Sequence, residues 1–113
     1  MTKREQRANE IENLYIKAKA NEIGAMENLY NELKPMFTAF YVNKTNKVLW
    51  NFRDFEQDAC QIFYLYLNDA VNNYIPGKTT FFLSYIHFYF QKTILDLYQF
   101  LHDQGDNRGL ARG

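Results

Sequence analysis

The chain has a single cysteine, Cys60, so no disulfide can form within it, and nothing in its thiol content points to an oxidising compartment. It has no run of about 18 apolar residues, which excludes a membrane-spanning helix on sequence grounds. The amino-terminal Met1–Arg7 stretch is charged, with no apolar segment behind it, so no signal peptide is predicted and the expected location is cytoplasmic. There is no Gly-rich phosphate loop, no His/Cys set at metal-ligand spacing and no paired-carboxylate pattern. These absences predict a protein that is not an enzyme and needs no metal or other cofactor. Nor is there an excess of charge of one sign: 13 Lys and Arg balance 13 Asp and Glu. A domain gripping duplex DNA mainly through phosphates is basic overall, so any nucleic-acid role here rests on stacking, a local patch or a basic partner.

What is abundant is aromatic: nine Tyr, ten Phe and one Trp in 113 residues. That is more ring surface than a small bundle needs for its core, so some rings are expected at the surface for a reason. The zero balance also hides an asymmetry. Residues 1–53 carry nine basic against six acidic side chains, and residues 54–113 carry four against seven.

Apolar periodicity predicts four helices and no strand, an all-α compact bundle of about four helices. The first, over Glu5–Ala20, carries Ile11, Leu14, Tyr15 and Ala18 on one stripe. The second runs from Ile23 toward Tyr41, with a kink or short break expected at Pro35. Val42–Phe52, rich in Asn and Lys, reads as a loop. Asp54 opens the third helix in a capping-box pattern with Gln57, and its core stripe is Phe55, Ala59, Ile62, Phe63, Tyr66, Ala70 and Tyr74. Ile75-Pro76-Gly77-Lys78 is a turn, after which Thr79 or Thr80 caps a fourth helix ending before Gly105. From Phe81 to Phe90 only Ser84 and His87 are neither apolar nor aromatic. The expected division is an N-terminal helix over 1–21, a helical domain over 22–104 and a flexible tail over 105–113.

Several pieces in order resemble region 2 of bacterial RNA polymerase sigma factors. Asp54-Phe-Glu-Gln57-Asp58-Ala59 resembles the Asp-Leu-x-Gln-Glu-Gly/Ala start of region 2.2. Phe82-Leu83-Ser84-Tyr85 is similar to the Phe-Ser-Thr-Tyr that opens the promoter-melting helix, and Phe88-Tyr89-Phe90-Gln91-Lys92-Thr93-Ile94 to the Trp-Trp-Ile-Arg-x-x-Ile after it. Upstream, Ala25, Leu29-Tyr30 and Pro35 resemble the run of the preceding helix. The likeness spans about residues 22–102.

The resemblance implies a sigma region 2-like fold and a transcription-initiation module. Asp54, Gln57, Asp58 and Gln61 would dock on the β′ clamp helices of core RNA polymerase. Ser84, Tyr85, Phe88, Tyr89, Gln91 and Lys92 would engage the single-stranded, non-template strand of the promoter −10 DNA. Departures are specific: Gln91 stands where the family has Arg, and Phe88-Tyr89 where it has two Trp. No helix-turn-helix of the region 4 kind is in the chain, so it reads as a fragment of a longer sigma factor or as a region-2-only protein. The alternative is a helical interaction module that does not bind DNA, such as a polymerase decoy or a self-associating regulator. A homodimer through aromatic faces is expected on either reading.

Overall fold

Thr2 starts the first helix. Its side chain accepts from the Glu5 backbone N–H at 3.1 Å, while the Glu5 carboxylate accepts from the Thr2 backbone N–H at 3.2 Å, a reciprocal capping box. In the computed structural model, which describes residues 2–45, 55–77 and 80–112 (side chains of 45 and 101–112 excepted), the chain forms α1 (Lys3–Lys19), α2 (Ala25–Thr45), α3 (Glu56–Asn73) and α4 (Phe82–Arg112). No strand occurs among the described residues. The architecture is the all-α bundle of four helices that the periodicity predicts.

α1 ends in a Schellman motif. Asn21 takes a left-handed φ of 61°, the Glu22 N–H donates to the Lys17 carbonyl at 3.1 Å, and the Asn21 N–H to that of Ala18 at 3.0 Å. The chain reverses at once into α2, and Arg7 of α1 bonds the Glu32 carboxylate of α2 at 2.9 Å. The short break expected at Pro35 does not occur. Pro35 lies on the exposed side of a continuous helix, where water can reach the carbonyl it leaves unbonded. Helix α2 also takes in Val42–Thr45, which the sequence reading places in a loop; 46–52 lie outside the described residues.

Asp54, the expected cap of the third helix, lies outside the described residues. α3 starts at Glu56, with Phe55 in the N-cap position and no side-chain cap bond. The turn after α3 uses Gly77 at φ 75°, the left-handed conformation that a side chain disfavours; Lys78 and Thr79 lie outside the described residues. α4 runs to Arg112, past the stop expected before Gly105, because a helical glycine costs only about 1 kcal/mol relative to alanine and does not by itself end a helix.

Two ring clusters build the core. Phe37 of α2, Phe63 of α3 and Phe90 of α4 meet at the centre, with Phe37 stacked on Phe63 at 4.8 Å and Phe63 edge-on to Phe90 at 5.1 Å. Near the α3–α4 corner, Tyr15 stacks on Phe82 at 4.9 Å and meets Tyr74 edge-on at 4.9 Å. Ile11, Leu29, Leu33, Leu67 and Ile86 fill between them, fully buried. Leu67 and Val71 belong to the buried side of α3 beside the expected stripe, while Phe55, Ile62 and Tyr66 sit at its half-buried edge.

The α3–α4 corner is held from α1. Glu12 accepts the first-turn N–H of Phe82 at 2.8 Å and the Tyr74 hydroxyl at 3.1 Å. Tyr15 and Lys19 donate to the carbonyls of Tyr74 and Asn72, both at 3.3 Å. An acid thus meets the amide end of α4, and donors meet the carbonyl end of α3, where the orphan backbone groups and helix dipoles favour each. Of the two threonines expected to cap α4, Thr79 lies outside the described residues; the Phe82 N–H is taken by Glu12, 70 residues away in sequence.

Candidate functional site

Helix geometry sorts the residues of α3 into two faces. Ala59, Phe63, Leu67 and Ala70 point inward, and the opposite line carries Gln57, Asp58, Gln61, Leu65, Asn68 and Asn72, all exposed. Three of the four expected polymerase-contact residues, Gln57, Asp58 and Gln61, therefore share one solvent-facing surface; the fourth, Asp54, is outside the described residues. Leu65 stands among them 71% exposed and was missed. Its signal was in the sequence: a leucine four residues after Gln61 and seven after Asp58 falls on the polar line, away from the core stripe. Its neighbours on the helix surface are Gln61, Asn68, Asp69 and the half-buried Ile62, so an apolar contact bordered by polar groups is offered to a partner helix.

On α4 the core line is Phe82, Ile86, Phe90, Thr93 and Leu97, all buried. Phe88 projects from the opposite side, 62% exposed. Its neighbours three and four residues away on the helix surface are Ser84, Tyr85, Gln91 and Lys92. Ser84, Gln91 and Lys92 are exposed and Tyr85 is half-buried, so five of the six expected nucleic-acid residues surround one another.

The sixth does not join them as a surface ring. Tyr89 is 6% exposed, because one residue beyond Phe88 is a 100° rotation, which turns it toward α3. There it packs on Tyr66 with ring centres 6.0 Å apart, and its hydroxyl accepts from the Asn73 amide at 3.5 Å and meets the Tyr85 hydroxyl at 3.3 Å. The Tyr85 hydroxyl is pushed up to about 12, by burial first and then by the bond to Tyr89.

The flank of Phe88 that faces α3 carries the expected contact Lys92 on supports, Tyr66 and Asp96, whose role was missed in the sequence. Lys92 lies over the Tyr66 ring, 5.1 Å from its centre, and the Tyr66 hydroxyl bonds the Asp96 carboxylate. The i, i+4 spacing of Lys92 and Asp96 was the available hint. Lys92 is thereby held beside Phe88 on a fixed aromatic support.

His87 donates Nδ1–H to the Leu83 carbonyl at 2.9 Å and its exposed ring meets that of Phe90 at 4.9 Å. Burial pushes the Cys60 thiol up, which disfavours the reactive thiolate. Among the described residues no cluster of three or more His, Cys, Asp or Glu is placed to hold a metal ion, and no helix is long and apolar enough to cross a membrane. Comparison of the chain with models of protein families, with curated proteins and with solved structures finds no match.

Proposed function

We propose that the chain is a transcription-initiation module of the sigma region 2 kind, which docks on core RNA polymerase through α3 and receives unpaired bases of the −10 non-template strand on α4. The observation that carries this reading is the surroundings of Phe88. A bare ring offers a stacking face, and Ser84, Tyr85, Gln91 and Lys92 around it offer hydroxyl, amide and ammonium groups for base edges and phosphate. Stacking on a protein ring contributes about 1–3 kcal/mol per base. With one cation beside the ring and zero net charge, the isolated chain has little to hold phosphates, so capture depends on polymerase to supply the basic channel. The face of Gln57, Asp58, Gln61 and Leu65 is the docking surface on this reading.

A second reading has its own support. With Tyr89 buried and Gln91 in place of an arginine, α4 offers fewer contacts to a strand than the resemblance implies, which favours a polymerase-binding module without promoter capture. Two variants separate the readings. The double change Gln57→Ala and Asp58→Ala is expected to abolish pull-down of core polymerase while leaving the thermal midpoint within about 2 °C, since both side chains are exposed. Phe88→Ala is expected to keep pull-down and weaken binding of a labelled −10 non-template strand to the complex by roughly 5- to 150-fold. Undiminished pull-down by the double variant overturns the docking surface. Undiminished strand binding by Phe88→Ala overturns Phe88 as the stacking face, and a wild-type complex that binds no more strand than core polymerase alone leaves the second reading standing.

A further inference from the structure

The solvent face of α4 has a symmetry of its own. Phe81, Phe88 and Leu95 are exposed at 41, 62 and 66%, spaced seven residues to either side of Phe88. Phe81 is the residue before α4, its carbonyl accepting the Tyr85 N–H at 3.1 Å to close the first turn, and a seven-residue step returns to nearly the same side of a helix, so the three form one line along the outer face, opposite the core line. We infer that this line is the contact surface for a second copy of the chain, laid antiparallel across a twofold axis at Phe88.

The register follows from counting. About Phe88, a residue k positions before it meets the residue k positions after it in the partner copy. Phe81 then meets Leu95, and Phe88 meets its own counterpart, so each apolar position opposes an apolar one. Ser84 meets Lys92 and Tyr85 meets Gln91, giving hydroxyl-to-ammonium and hydroxyl-to-amide pairs. The charged side chains described on α4 are Lys92 and Asp96. A parallel arrangement would set each beside its own like charge, whereas the antiparallel register opposes no like charges, which selects the direction. A surface complementary to itself about one point is what an isologous dimer needs.

Size sets the strength. The bare parts of Phe81, Phe88 and Leu95 sum to about 300 Å² when a whole aromatic side chain carries roughly 200 Å². With the four flanking polar residues the contact reaches roughly 600 Å² per copy, at the small end of specific interfaces. The dimer is therefore reversible, forming in the micromolar range, and zero net charge leaves no long-range repulsion against it. Because Phe88 lies on the axis, the dimer hides the ring that a strand would stack on; that consequence alone rests on the nucleic-acid reading above.

Sedimentation of the purified 113-residue chain from about 1 to 100 μM is expected to show a monomer–dimer equilibrium, and Phe88→Asp to shift its midpoint at least about tenfold upward with an unchanged circular dichroism spectrum. Register is read by cross-linking. Oxidation of a mixture of Ser84→Cys and Lys92→Cys chains is expected to give a disulfide heterodimer. Each variant alone gives none, because like positions lie eight residues, about 12 Å, apart along the axis, beyond the roughly 7 Å that a disulfide spans. A monomer at every concentration, a dimer indifferent to Phe88→Asp, or equal cross-linking of each variant with itself overturns the inference. Should Phe88→Asp fail to fold, the two cysteine variants, both at exposed positions, still decide it. Neither measurement contains nucleic acid or polymerase, so a failed strand-binding assay leaves this test untouched.

Discussion

Replacing Glu12 by alanine removes the one acceptor that reaches the α3–α4 corner from α1. The Glu12 carboxylate takes the Phe82 N–H at 2.8 Å and the Tyr74 hydroxyl at 3.1 Å. A bond to a charged acceptor contributes about 1.5–3 kcal/mol net. Glu12 is only half-buried, so water recovers part of that in the variant. The Tyr74 hydroxyl keeps a second acceptor, the Thr80 carbonyl at 2.5 Å, and loses little. The expected destabilisation is about 1.5–2.5 kcal/mol, close to the loss of a strong helix N-cap. For a domain of this size that lowers the thermal midpoint by about 5–12 °C. Glu12→Gln keeps an oxygen in place but loses its charge at the positive end of the α4 dipole, and costs about 0.5–1 kcal/mol. Urea unfolding followed by far-ultraviolet circular dichroism reads both: the midpoint falls in the order wild type, Gln, Ala, with the slope unchanged. An alanine variant within 0.5 kcal/mol of the wild type refutes the reasoning, since the corner would then owe nothing to a cap from another helix.

Two further outcomes follow from features of α2 and from the buried phenols. Pro35→Ala is expected to stabilise the chain by about 1–3 kcal/mol, since it restores a backbone donor inside a continuous helix at an exposed position; a lower urea midpoint would contradict that account. Burial, aided at Tyr74 by Glu12, pushes the hydroxyls of Tyr30, Tyr41 and Tyr74 up to about 12 from an ordinary 10. The unfolded chain gives up these protons first, so stability is complete below pH 10 and is lost as pH rises from 10 to 12. Absorbance at 295 nm should show a late ionisation step coincident with unfolding; a single step near pH 10 with the helices intact contradicts it.

The helices were legible because each carries a stripe at a 3.6-residue period: Ile11, Tyr15 and Ala18 in α1, Leu29, Leu33, Phe37 and Tyr41 in α2, and Ala59, Phe63 and Ala70 in α3, all buried. The exposed amide line of α3 could be read for the same reason. What the pattern could not separate were neighbours of like chemistry. Phe88 and Tyr89 are adjacent aromatic letters, and only the 100° step between them, measured from a core line that the sequence leaves ambiguous, sends one to solvent and the other against Tyr66. Helix ends were less legible still. The local rule looks for the acceptors of α4 just before the helix, but the one for the Phe82 N–H is Glu12, which sequence distance conceals. Leu65 was passed over because the polar line of α3 was read from its amides and acids, and an apolar residue on that line matches neither side's chemistry.

The clasp at the α3–α4 corner also bears on the order in which the chain is made. Of the four helices α1 leaves the ribosome first, yet the groups it grips follow much later: Asn72 is 53 residues after Lys19, Tyr74 is 59 after Tyr15, and Phe82 is 70 after Glu12. Until they emerge, α1 can lean only on α2, with the ring of Tyr15 lacking its stacking partner. The two ends of the fold are thus closed in a single late event, and contacts of such long range slow that event relative to the local helices. A ribosome stalled before residue 82 would display α1, α2 and α3 with the first of them still waiting for its partner in α4.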